Sequence, residues 1–410
     1  MKIAIIGAGA SGLICACSTA IKAKENNSDV EIILFESKDK PGRKLLATGN
    51  GRCNLMNQNE GDYYFDSHSF SSYALKRFNV SSNLSFFNSI GLYTRSDEEG
   101  RIYPLSNQAS SVLDALRFAC ESNKVKFITD CTVTEIKRNN GTFLINNTYT
   151  ADKIVLACGG RAGAKSFFGY ELLKSMGHSV TSIRPSLTKL EVKDKKQVKQ
   201  LKGIRQKGEF SLFDGTELIA KEKGEILFTD YGLSGIAIMQ LSAFAVRYKN
   251  IDRLKIQSDF VSELSYNELF EAVKSFAAGG TVILNENLLS GFVPKRLGEI
   301  ILKSLDISLS SDPKKLSDKE LKAITSKMKK FTFEISSAKG FEDAQVTAGG
   351  ADTALFNPET MESKKVKGLY CIGELLDVDG LCGGYNLHWA WSSGRLCAES
   401  MVNELLNRKG

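Results

Sequence analysis

The opening of the chain alternates short apolar runs with glycine-rich or polar segments. Residues 1–6 are mostly apolar and predict a buried strand, and an Ala- and Cys-rich segment up to about residue 23 predicts a helix. Residues 30–35 predict a second strand, which stops at Glu36. The order of strand, glycine turn, helix, strand and acid is typical of a nucleotide-binding βαβ unit.

The pattern of apolar positions changes further along the chain. Residues 107–122 have helical periodicity, whereas residues 132–137 and 142–145 predict a hairpin. Residues 153–157 form an apolar run without alternation, which is typical of a central parallel strand that is buried on both faces. The carboxyl end of such a strand faces a ligand in open α/β sheets.

The second half of the chain contains a region of different character. Residues 187–255 show short alternating segments between glycine turns and predict a small antiparallel unit. Residues 264–330 predict helices at 266–278, 295–304 and 317–329, because Leu recurs at helical spacing among Lys and Glu. Buried-strand character then returns at the end of the chain. We therefore predict a nucleotide domain built from both chain ends and interrupted by an insert.

The glycine turn of residues 7–12 reads Gly-Ala-Gly-Ala-Ser-Gly. Gly7 permits the sharp turn, Gly9 lets a pyrophosphate approach the backbone, and Gly12 lets the helix pack close to the strand. Glu36 follows Gly12 by 24 residues (36 − 12), near the spacing expected for an acid that binds a ribose hydroxyl. An acid there repels a 2′-phosphate, so FAD or NAD is favoured over NADP. The predicted contacts are Gly7, Gly9, Ala10, Ser11, Gly12 and Glu36.

Composition narrows the class of protein. A chain of 410 residues exceeds one ordinary core, and 42% apolar with 25% charged residues is usual for a soluble globular protein. We expect no membrane span, because no apolar run reaches the ~18 residues required. The net charge of +7 is spread among lysines, so no nucleic-acid partner is expected.

The nine cysteines are scattered, and only three histidines are present. Neither residue type forms a cluster with metal-ligand spacing, so no metal site is predicted. Without an export signal, a reduced cytoplasm is the expected compartment.

A second strand-end acid, Glu374, follows an apolar run that ends at Gly373. The turn Gly383-Gly384-Tyr385-Asn386 then opens a helix predicted to run from about 387 to 406. The positive end of that helix suits the negative charge that reduced flavin carries near N1 and the C2 oxygen. These features favour FAD over NAD.

The chain resembles the HI0933-like family of two-dinucleotide-binding-domain flavoproteins, which includes aminoacetone oxidases and bile-acid enone reductases. The matching blocks are residues 7–12, 44–54 (Lys-Leu-Leu-Ala-Thr-Gly-Asn-Gly-Arg-Cys-Asn), 227–235 (Leu-Phe-Thr-Asp-Tyr-Gly-Leu-Ser-Gly) and 347–394. The resemblance implies bound FAD and an α/β fold, with a Rossmann-type FAD domain split by a β-barrel-like and helical insert. The predicted divisions are an FAD-binding domain at 1–186 and 336–410, a β subdomain at 187–255 and 331–335, and a helical subdomain at 256–330.

The resemblance also implies residue roles. It places a glycine-rich loop on the flavin side of the FAD pocket and the backbone of Val133, expected on a strand, against adenine. Judged by its side chain alone, Val133 is better explained by core packing. The remaining implied FAD contacts are Lys44, Thr48, Gly49, Asn50, Arg52, Cys53, Asn54, Gly159, Gly160, Gly373, Glu374, Gly383, Gly384, Tyr385 and Asn386.

The chain departs from the family pattern in one turn and at two single positions. The turn after Gly160 (residues 161–168) lacks the usual Thr/Gly/Ser-rich composition. Asp230 stands where the family often has His, and His388 where it often has Gln. Substrate choice is therefore not carried over from the family.

Four residues are candidates for catalysis. Arg52 could stabilise charge on the reduced ring or orient an anionic substrate. Asp230 could act as a general acid or base on an insert loop, or simply form a turn. Tyr385 and His388 open the last helix, where His388 is either a proton donor or a helix-start residue, and the second role is favoured.

The resulting expectation is FAD-dependent redox chemistry on a small organic molecule. The first hypothesis is hydride transfer from flavin N5 to an activated C=C bond, with NAD(P)H as a transient donor because the sequence contains no second dinucleotide fingerprint. An amine oxidase that releases hydrogen peroxide is the first alternative. A flavin-dependent RNA-modifying or RNA-binding protein is an alternative of another class. The oligomeric state stays open.

Overall fold

A computed structural model describes residues 1–59, 61, 64–139, 141–163 and 168–407. The chain forms two compact units, one of residues 1–184 with 346–410 and one of residues 185–345. The helices, in chain order, are α1 (Ala10–Glu25), α2 (Arg43–Leu46), α3 (Ser72–Arg77), α4 (Val80–Ser89), α5 (Ala109–Ser122), α6 (Gly169–Ser175), α7 (Lys195–Gln200), α8 (Ile236–Ala245), α9 (Tyr266–Ala278), α10 (Lys295–Lys303), α11 (Asp318–Lys329) and α12 (Tyr385–Asn407).

The strands are short in the first unit and longer in the second. They are β1 (Lys2–Ile6), β2 (Glu31–Phe35), β3 (Met56–Asn57), β4 (Tyr64–Asp66), β5 (Thr94–Ser96), β6 (Arg101–Pro104), β7 (Lys126–Ile128), β8 (Ile136–Asn139), β9 (Thr142–Ile145), β10 (Tyr149–Ala151), β11 (Lys153–Leu156), β12 (Arg184–Ser186), β13 (Leu190–Val192), β14 (Arg205–Asp214), β15 (Glu217–Phe228), β16 (Gly232–Ser234), β17 (Leu254–Asp259), β18 (Phe331–Ala338), β19 (Val346–Ala348), β20 (Leu369–Cys371) and β21 (Val378–Gly380).

A parallel sheet with the order β20-β11-β1-β2-β7 is the centre of the first unit. Ile3 pairs with Lys153 on one side and with Ile32 on the other, so β1 is a central strand. The predicted parallel position of the 153–157 run is confirmed, since β11 lies between β1 and β20. Every residue of β11 is buried, which explains its lack of polar alternation.

Helices α1 and α12 pack closely although they lie near opposite ends of the chain. A Cβ on Gly394 would stand 2.8 Å from the Ser11 carbonyl oxygen and 2.7 Å from the Ile14 side chain, so only glycine fits. Both tryptophans of α12, Trp389 and Trp391, are buried in this unit. The predicted assembly of the nucleotide fold from both chain ends is therefore present.

The second unit contains a closed antiparallel barrel with the order β13-β16-β15-β14-β17-β18. The pattern at 187–255 predicted this antiparallel character but not α8. Helix α8 is apolar on nearly all sides, so its sequence lacks the periodicity that distinguishes an amphipathic helix from a strand. Its buried residues include Ala237, Ile238 and Leu241.

Helices α9 to α11 follow the barrel strand β17 and confirm the helices predicted for 264–330. Ser317 and Glu320 form the capping box expected from their spacing, and Ser265 with Glu268 forms another. Strand β18 then returns to the barrel and extends beyond residue 335, the predicted end of the β subdomain. The fold class is confirmed: a Rossmann-type α/β unit made from both chain ends, with an inserted barrel and helices.

Candidate functional site

The glycine turn after β1 has no room for side chains at two of its positions. Gly7 has a φ of +107°, and a Cβ there would lie 2.5 Å from the carbonyl oxygen of Ala157. A Cβ on Gly12 would overlap the carbonyl oxygen of Gly7. The turn is therefore tight because helix α1 starts directly against the ends of β1 and β11.

The start of α1 is open to a ligand. No side chain caps it and its first turn contains no acid, within the part of the chain that the structure describes. A Cβ on Gly9 would meet nothing within 4 Å, whereas Ser11 is buried, with its Oγ 2.6 Å from where a Cβ of Gly373 would stand. The first N–H groups of a helix lack intrahelical partners and attract anions. This arrangement of Gly9, Ala10 and Ser11 fits a pyrophosphate.

Glu36 lies at the carboxyl end of β2, beside the glycine turn. Its Oε2 accepts a hydrogen bond from Ala8 N at 3.2 Å, and its Oε1 accepts one from Lys38 N at 3.0 Å. The carboxylate is thus held where a sugar attached to a phosphate at α1 would reach it.

Glu374 follows β20 at the same edge of the sheet. Its Oε2 lies 2.8 Å from Lys44 Nζ, and its Oε1 accepts a hydrogen bond from Thr347 N at 2.9 Å. A Cβ on Gly160 would overlap Oε1, while a Cβ on Gly159 would meet nothing within 4 Å. The structure therefore brings together the glycines after β11, the acid after β20 and Lys44, as expected for one binding site.

The loop of residues 48–54 has an unusual backbone. Asn50 and Cys53 have positive φ values of 54° and 58°, and Gly49 has 55°. Thr48 Oγ1 donates to the Leu45 carbonyl oxygen at 2.6 Å and fixes the beginning of the loop. The positive φ angles of Asn50 and Cys53 cost free energy, and such a cost is common at ligand sites.

Arg52 and Cys53 face different environments. The exposed Arg52 guanidinium lies 5.1 Å from the centre of the Tyr103 ring. Cys53 is fully buried, and burial raises the pKa of its thiol to about 12. Cys53 can contribute its backbone to a ligand but no thiolate at neutral pH.

Helix α12 starts after two glycines with φ values that other residues rarely adopt, +123° at Gly383 and +106° at Gly384. Asn386 accepts a hydrogen bond from Gly380 N at 2.8 Å and donates to Gly380 O at 2.7 Å, so its amide closes the preceding loop. Tyr385 is buried, and its carbonyl oxygen accepts a hydrogen bond from Tyr64 OH at 3.0 Å. The helix start is thus held by its own Asn386 and by Tyr64 of β4.

The two helix starts are separated along α12. Gly394 contacts the first turn of α1, and α12 begins nine residues earlier at Tyr385. At 1.5 Å per residue, this separation is about 14 Å along the axis. A dinucleotide whose pyrophosphate is bound at α1 can therefore reach the start of α12 with its other end. In FAD that other end is the electron-rich flavin ring.

His388 lies in the first turn of α12 and is buried. Its Nε2 is 3.2 Å from the Phe78 carbonyl oxygen, so Nε2 carries the hydrogen. Burial lowers the pKa of His388 to about 4. The imidazole is neutral at pH 7 and acts as a helix-start side chain that donates to Phe78.

Asp230 belongs to the barrel unit. Its Oδ2 lies 2.9 Å from Lys202 Nζ, and that contact lowers the pKa of the carboxyl group. Asp230 is ionised at neutral pH and holds no proton for transfer. The neighbouring Tyr231 has its ring 4.3 Å from Lys339 Nζ.

Two implied positions differ from the expectation. Val133 is buried but lies outside any strand, because β8 begins only at Ile136. The expected hairpin is therefore shorter, although β8 and β9 do pair across the turn. In the turn after Gly160, residues 164–167 lie outside the described residues. No three His, Cys, Asp or Glu side chains gather in a metal-binding arrangement in the described part of the chain.

The sequence did not identify three residues that support this site. Asn57 donates to the Gly383 carbonyl oxygen at 3.1 Å, Tyr64 bonds to Tyr385, and Tyr103 lies under Arg52. Each acts on a partner that is distant in sequence, the shortest separation being the 51 residues between Arg52 and Tyr103 (103 − 52), so spacing gives no signal. Only Asn57, which follows Asn54 by three residues, could have been suspected from its position near the predicted loop.

The model of the "HI0933-like protein Rossmann domain" matches residues 1–400 of this chain. The chain belongs to the HI0933-like family. The family identified by resemblance is therefore confirmed, as is the class of FAD-binding oxidoreductase. The residues at α1, Glu36, Glu374 and α12 fit that cofactor.

The similar proteins reported below are named for two different substrates, a bile acid and ribosomal RNA. The 3-dehydro-bile acid delta(4,6)-reductase of Clostridium scindens is 36% identical over 97% of this chain and 98% of its own length. The ribosomal RNA dihydrouridine synthase of Escherichia coli is 30% identical over 97% of each chain. The solved structure of 3-ketosteroid delta1-dehydrogenase from Sterolibacterium denitrificans aligns over 98% of this chain and 99% of that chain, with 11% identity and a TM-score of 0.46. That structural likeness adds nothing to the family assignment.

No helix in the described part of the chain combines the length and apolarity needed to cross a membrane.

Proposed function

We propose that this protein reduces a C=C bond conjugated with a carbonyl group in a small organic molecule, with NAD(P)H as the electron donor. When bound and reduced, FAD supplies the hydride. The observation that carries the proposal is the start of α12 at Tyr385, because the positive end of a helix favours negative charge on a neighbouring ring. The 36% identical relative, named as a delta(4,6)-reductase, supports the same reaction type.

Arg52 stabilises the carbonyl oxygen of the substrate in this proposal. Its guanidinium is exposed beside the Tyr103 ring and lies in the loop that precedes Asn54. Negative charge grows on the carbonyl oxygen as hydride reaches the β carbon, and a fixed cation lowers the energy of that transition state. An anionic substituent on the substrate could be held by the same group.

Tyr385 supplies the proton to the α carbon. Asp230 is ionised beside Lys202, and His388 is neutral with its Nε2 hydrogen directed at Phe78. A positioned tyrosine hydroxyl can transfer its proton to a reacting carbon in the transition state. Of the three candidate acids, Tyr385 therefore fits the role best.

The nicotinamide donor acts transiently. The chain contains one Gly-x-Gly-x-x-Gly turn between a strand and a helix, at residues 7–12, and the FAD pyrophosphate occupies it in this proposal. NADH or NADPH then has no such turn of its own, so it binds, transfers hydride and leaves before the substrate enters.

An RNA substrate is the second candidate. It is favoured by relatives named ribosomal RNA dihydrouridine synthase that are 30% and 28% identical over 97% and 98% of this chain. The dihydrouridine product also results from saturation of a C=C bond next to a carbonyl. An exposed basic segment on the barrel unit is compatible with RNA and consists of Lys193, Lys195, Lys196, Lys199, Lys202, Arg205 and Lys207. Four of these side chains pair with carboxylates, which weakens their attraction for phosphates.

Anaerobic mixing tests the proposal. The yellow protein should bleach rapidly with NADH or NADPH, and the reduced protein should be reoxidised by an enone such as a 3-keto-4,6-diene steroid acid. Reoxidation by uridine-containing ribosomal RNA instead would establish the second candidate. No bleaching by NADH or NADPH, together with bleaching by an amine and peroxide release when oxygen is admitted, would establish an amine oxidase and reject both candidates. Tyr385→Phe should slow reoxidation by the enone while leaving bleaching by the nicotinamide unchanged.

A further inference from the structure

The hairpin of β5 and β6 presents two large apolar side chains to solvent at directly opposed positions. Tyr93 is 63% exposed and Leu105 is 56% exposed. Leu105 N donates to the Tyr93 carbonyl oxygen at 2.9 Å, so this pair extends the ladder in which Thr94 pairs with Pro104. Single exposed apolar residues are common on protein surfaces, but an exposed cross-strand pair that includes an aromatic ring forms a flat contact surface.

Strand alternation gives this pair two neighbours on the same face of the hairpin. Arg95 follows Tyr93 by two residues and pairs across the hairpin with Tyr103. Because successive side chains of a strand point to opposite faces, Arg95 and Tyr103 lie on the face of the exposed pair. The opposite face carries Ile102, which is buried in the core of the first unit. The face that contains Tyr93 is therefore the outward face of the hairpin.

The outward face continues into the loop of residues 48–54. The Arg52 guanidinium lies 5.1 Å from the centre of the Tyr103 ring, and a Cβ on Gly49 would stand 3.8 Å from Tyr103 Cε1. Tyr103 is only 8% exposed although it faces outward, because this loop covers it. At about 3.3 Å per residue, Leu105 lies roughly 7 Å further along the strand. The exposed pair therefore begins directly beyond the loop to which the resemblance assigns flavin contacts.

Arg95 adds a cation to this face. Its side chain is exposed, and it forms no ion pair with any residue that the structure describes. Two acids of the hairpin turn, Asp97 and Glu99, each lie 2.8 Å from Arg101, and the third, Glu98, lies at the tip of the turn. The acids are thus gathered at the tip, whereas the cation lies beside the aromatic pair. An exposed ring next to such a guanidinium suits a ligand that carries both a base and a phosphate group.

We propose that this face binds the adenosine end of NADPH, with the Tyr93 ring stacked on adenine and the Arg95 guanidinium paired with the ribose 2′-phosphate. The inference rests on the nicotinamide donor of the proposed function and adds where that donor is held and which nicotinamide is used. FAD occupies the glycine turn of residues 7–12 in that function, so the donor needs a surface of its own. The hairpin supplies this surface beside Arg52 and leaves the nicotinamide end free for the flavin.

The test measures binding of NADP⁺ and NAD⁺ to full-length protein that contains oxidised FAD, by calorimetric titration. Neither nucleotide can reduce the flavin, so binding is separated from hydride transfer. Wild-type protein should bind NADP⁺ about tenfold or more tightly than NAD⁺, because only NADP⁺ offers a 2′-phosphate to the guanidinium. Arg95→Gln should weaken NADP⁺ alone, to within about twofold of NAD⁺. Tyr93→Ser should weaken both by about tenfold and keep the preference, because it removes only the stacking.

Arg138→Gln is the matched control. Arg138 is likewise an exposed arginine of a strand, with its guanidinium 5.7 Å from the centre of the Phe143 ring, but it lies in β8. Its removal changes the net charge as much as Arg95→Gln does and should leave both dissociation constants unchanged. Equal affinities of wild-type protein for NADP⁺ and NAD⁺ would overturn the inference. A preference that survives in Arg95→Gln, or that is lost equally in Arg138→Gln, would overturn it as well.

Anaerobic flavin reduction gives a second readout. Arg95→Gln should need about tenfold more NADPH for the half-maximal rate of bleaching, whereas its limiting rate should stay within about twofold of wild type, because the adenosine end takes no part in hydride transfer. Equal bleaching by NADH and NADPH at every concentration would overturn the inference and leave the proposed reductase intact. No bleaching by either nucleotide would overturn both.

The second candidate function is separated by an RNA probe. Binding of a single-stranded uridine oligoribonucleotide is measured with the same three variants, by fluorescence anisotropy. The inference expects Tyr93→Ser and Arg95→Gln to bind this probe as the wild-type protein does. Weaker binding of the probe in both variants, with unchanged affinity for NADP⁺, would overturn the inference and assign the face to RNA.

Discussion

The Glu36 carboxylate accepts a hydrogen bond from the backbone N–H of Ala8, with 3.2 Å between Ala8 N and Glu36 Oε2. The acid at the end of β2 is therefore joined to the glycine turn that begins α1. A ribose hydroxyl bound by Glu36 and a pyrophosphate bound at α1 belong to one short stretch of ligand. The fixed carboxylate also disfavours a phosphate on that ribose.

We expect Glu36→Arg to weaken FAD binding by about tenfold or more, because it removes a charged acceptor worth roughly 1.5–3 kcal/mol. Glu36→Gln keeps one acceptor oxygen and should weaken binding less. Both dissociation constants are measured by flavin fluorescence. Full FAD retention in Glu36→Arg would exclude the ribose role of this acid.

His388 should make the stability of the protein depend on pH. Burial lowers its folded-state pKa to about 4, below the unfolded value near 6.5, so the folded protein favours the neutral ring. This contribution is present above pH 6.5 and is lost as the pH falls from 6.5 to about 4, because the unfolded chain takes up the proton first. The full loss is about 3 kcal/mol.

His388→Gln tests this dependence, since glutamine keeps an N–H that can donate to the Phe78 carbonyl oxygen. The fall in the free energy of unfolding between pH 7 and pH 4.5 should be smaller in the variant by about 2–3 kcal/mol. Urea unfolding at several pH values measures the difference. The same slope in both proteins would show that His388 titrates normally.

Gly384 should tolerate no side chain. Its φ is +106°, and a Cβ would stand 2.6 Å from the carbonyl carbon of Met56. We expect Gly384→Ala to destabilise the protein by about 3 kcal/mol or more. The control is Gly177→Ala, where φ is +81° and a Cβ would meet nothing within 4 Å, so only about 1–2 kcal/mol is expected. Equal melting temperatures for the two variants would contradict the close approach of α12.

Removing the ion-pair partner of Lys153 should lower the free energy of unfolding of the protein. It is a buried residue of β11, it forms an ion pair with Glu404, and its Nζ donates to Tyr370 OH at 2.8 Å. Glu404→Leu leaves a buried charge unpaired and should cost about 3 kcal/mol. The double variant Lys153→Met with Glu404→Leu removes both charges and should recover most of the loss. A double variant as unstable as the sum of the single variants would show that the two charges do not interact.

The sequence predicted the features that depend on local chemistry. The glycine turns at Gly7 and Gly383, the acid after each strand and the capping box at Ser317 all act on residues nearby in the chain. The continuous apolar run of β11 similarly revealed a strand with neighbours on both sides. These features determine the fold and the ends of the cofactor site.

Other features depend on partners that a local pattern does not contain. The ionisation of His388 is set by burial near Phe78, 310 residues away, and that of Asp230 by Lys202, 28 residues away. Helix α8 was missed because uniform burial removes its periodicity. The pattern of residues 132–137 predicts a strand at Val133, but β8 begins only at Ile136. The glycine turns and strand ends were therefore more predictable than the ionisation of His388 and Asp230.

The packing of α1 against α12 has a consequence for how the protein is made. The first residues of these helices are 375 positions apart in the chain (385 − 10). At about 5–20 residues per second, the ribosome adds α12 roughly 20–75 s after α1. During that interval the contiguous unit of residues 185–345 can complete its barrel, whereas α1 cannot yet pack against α12. Cofactor loading should therefore follow the synthesis of α12.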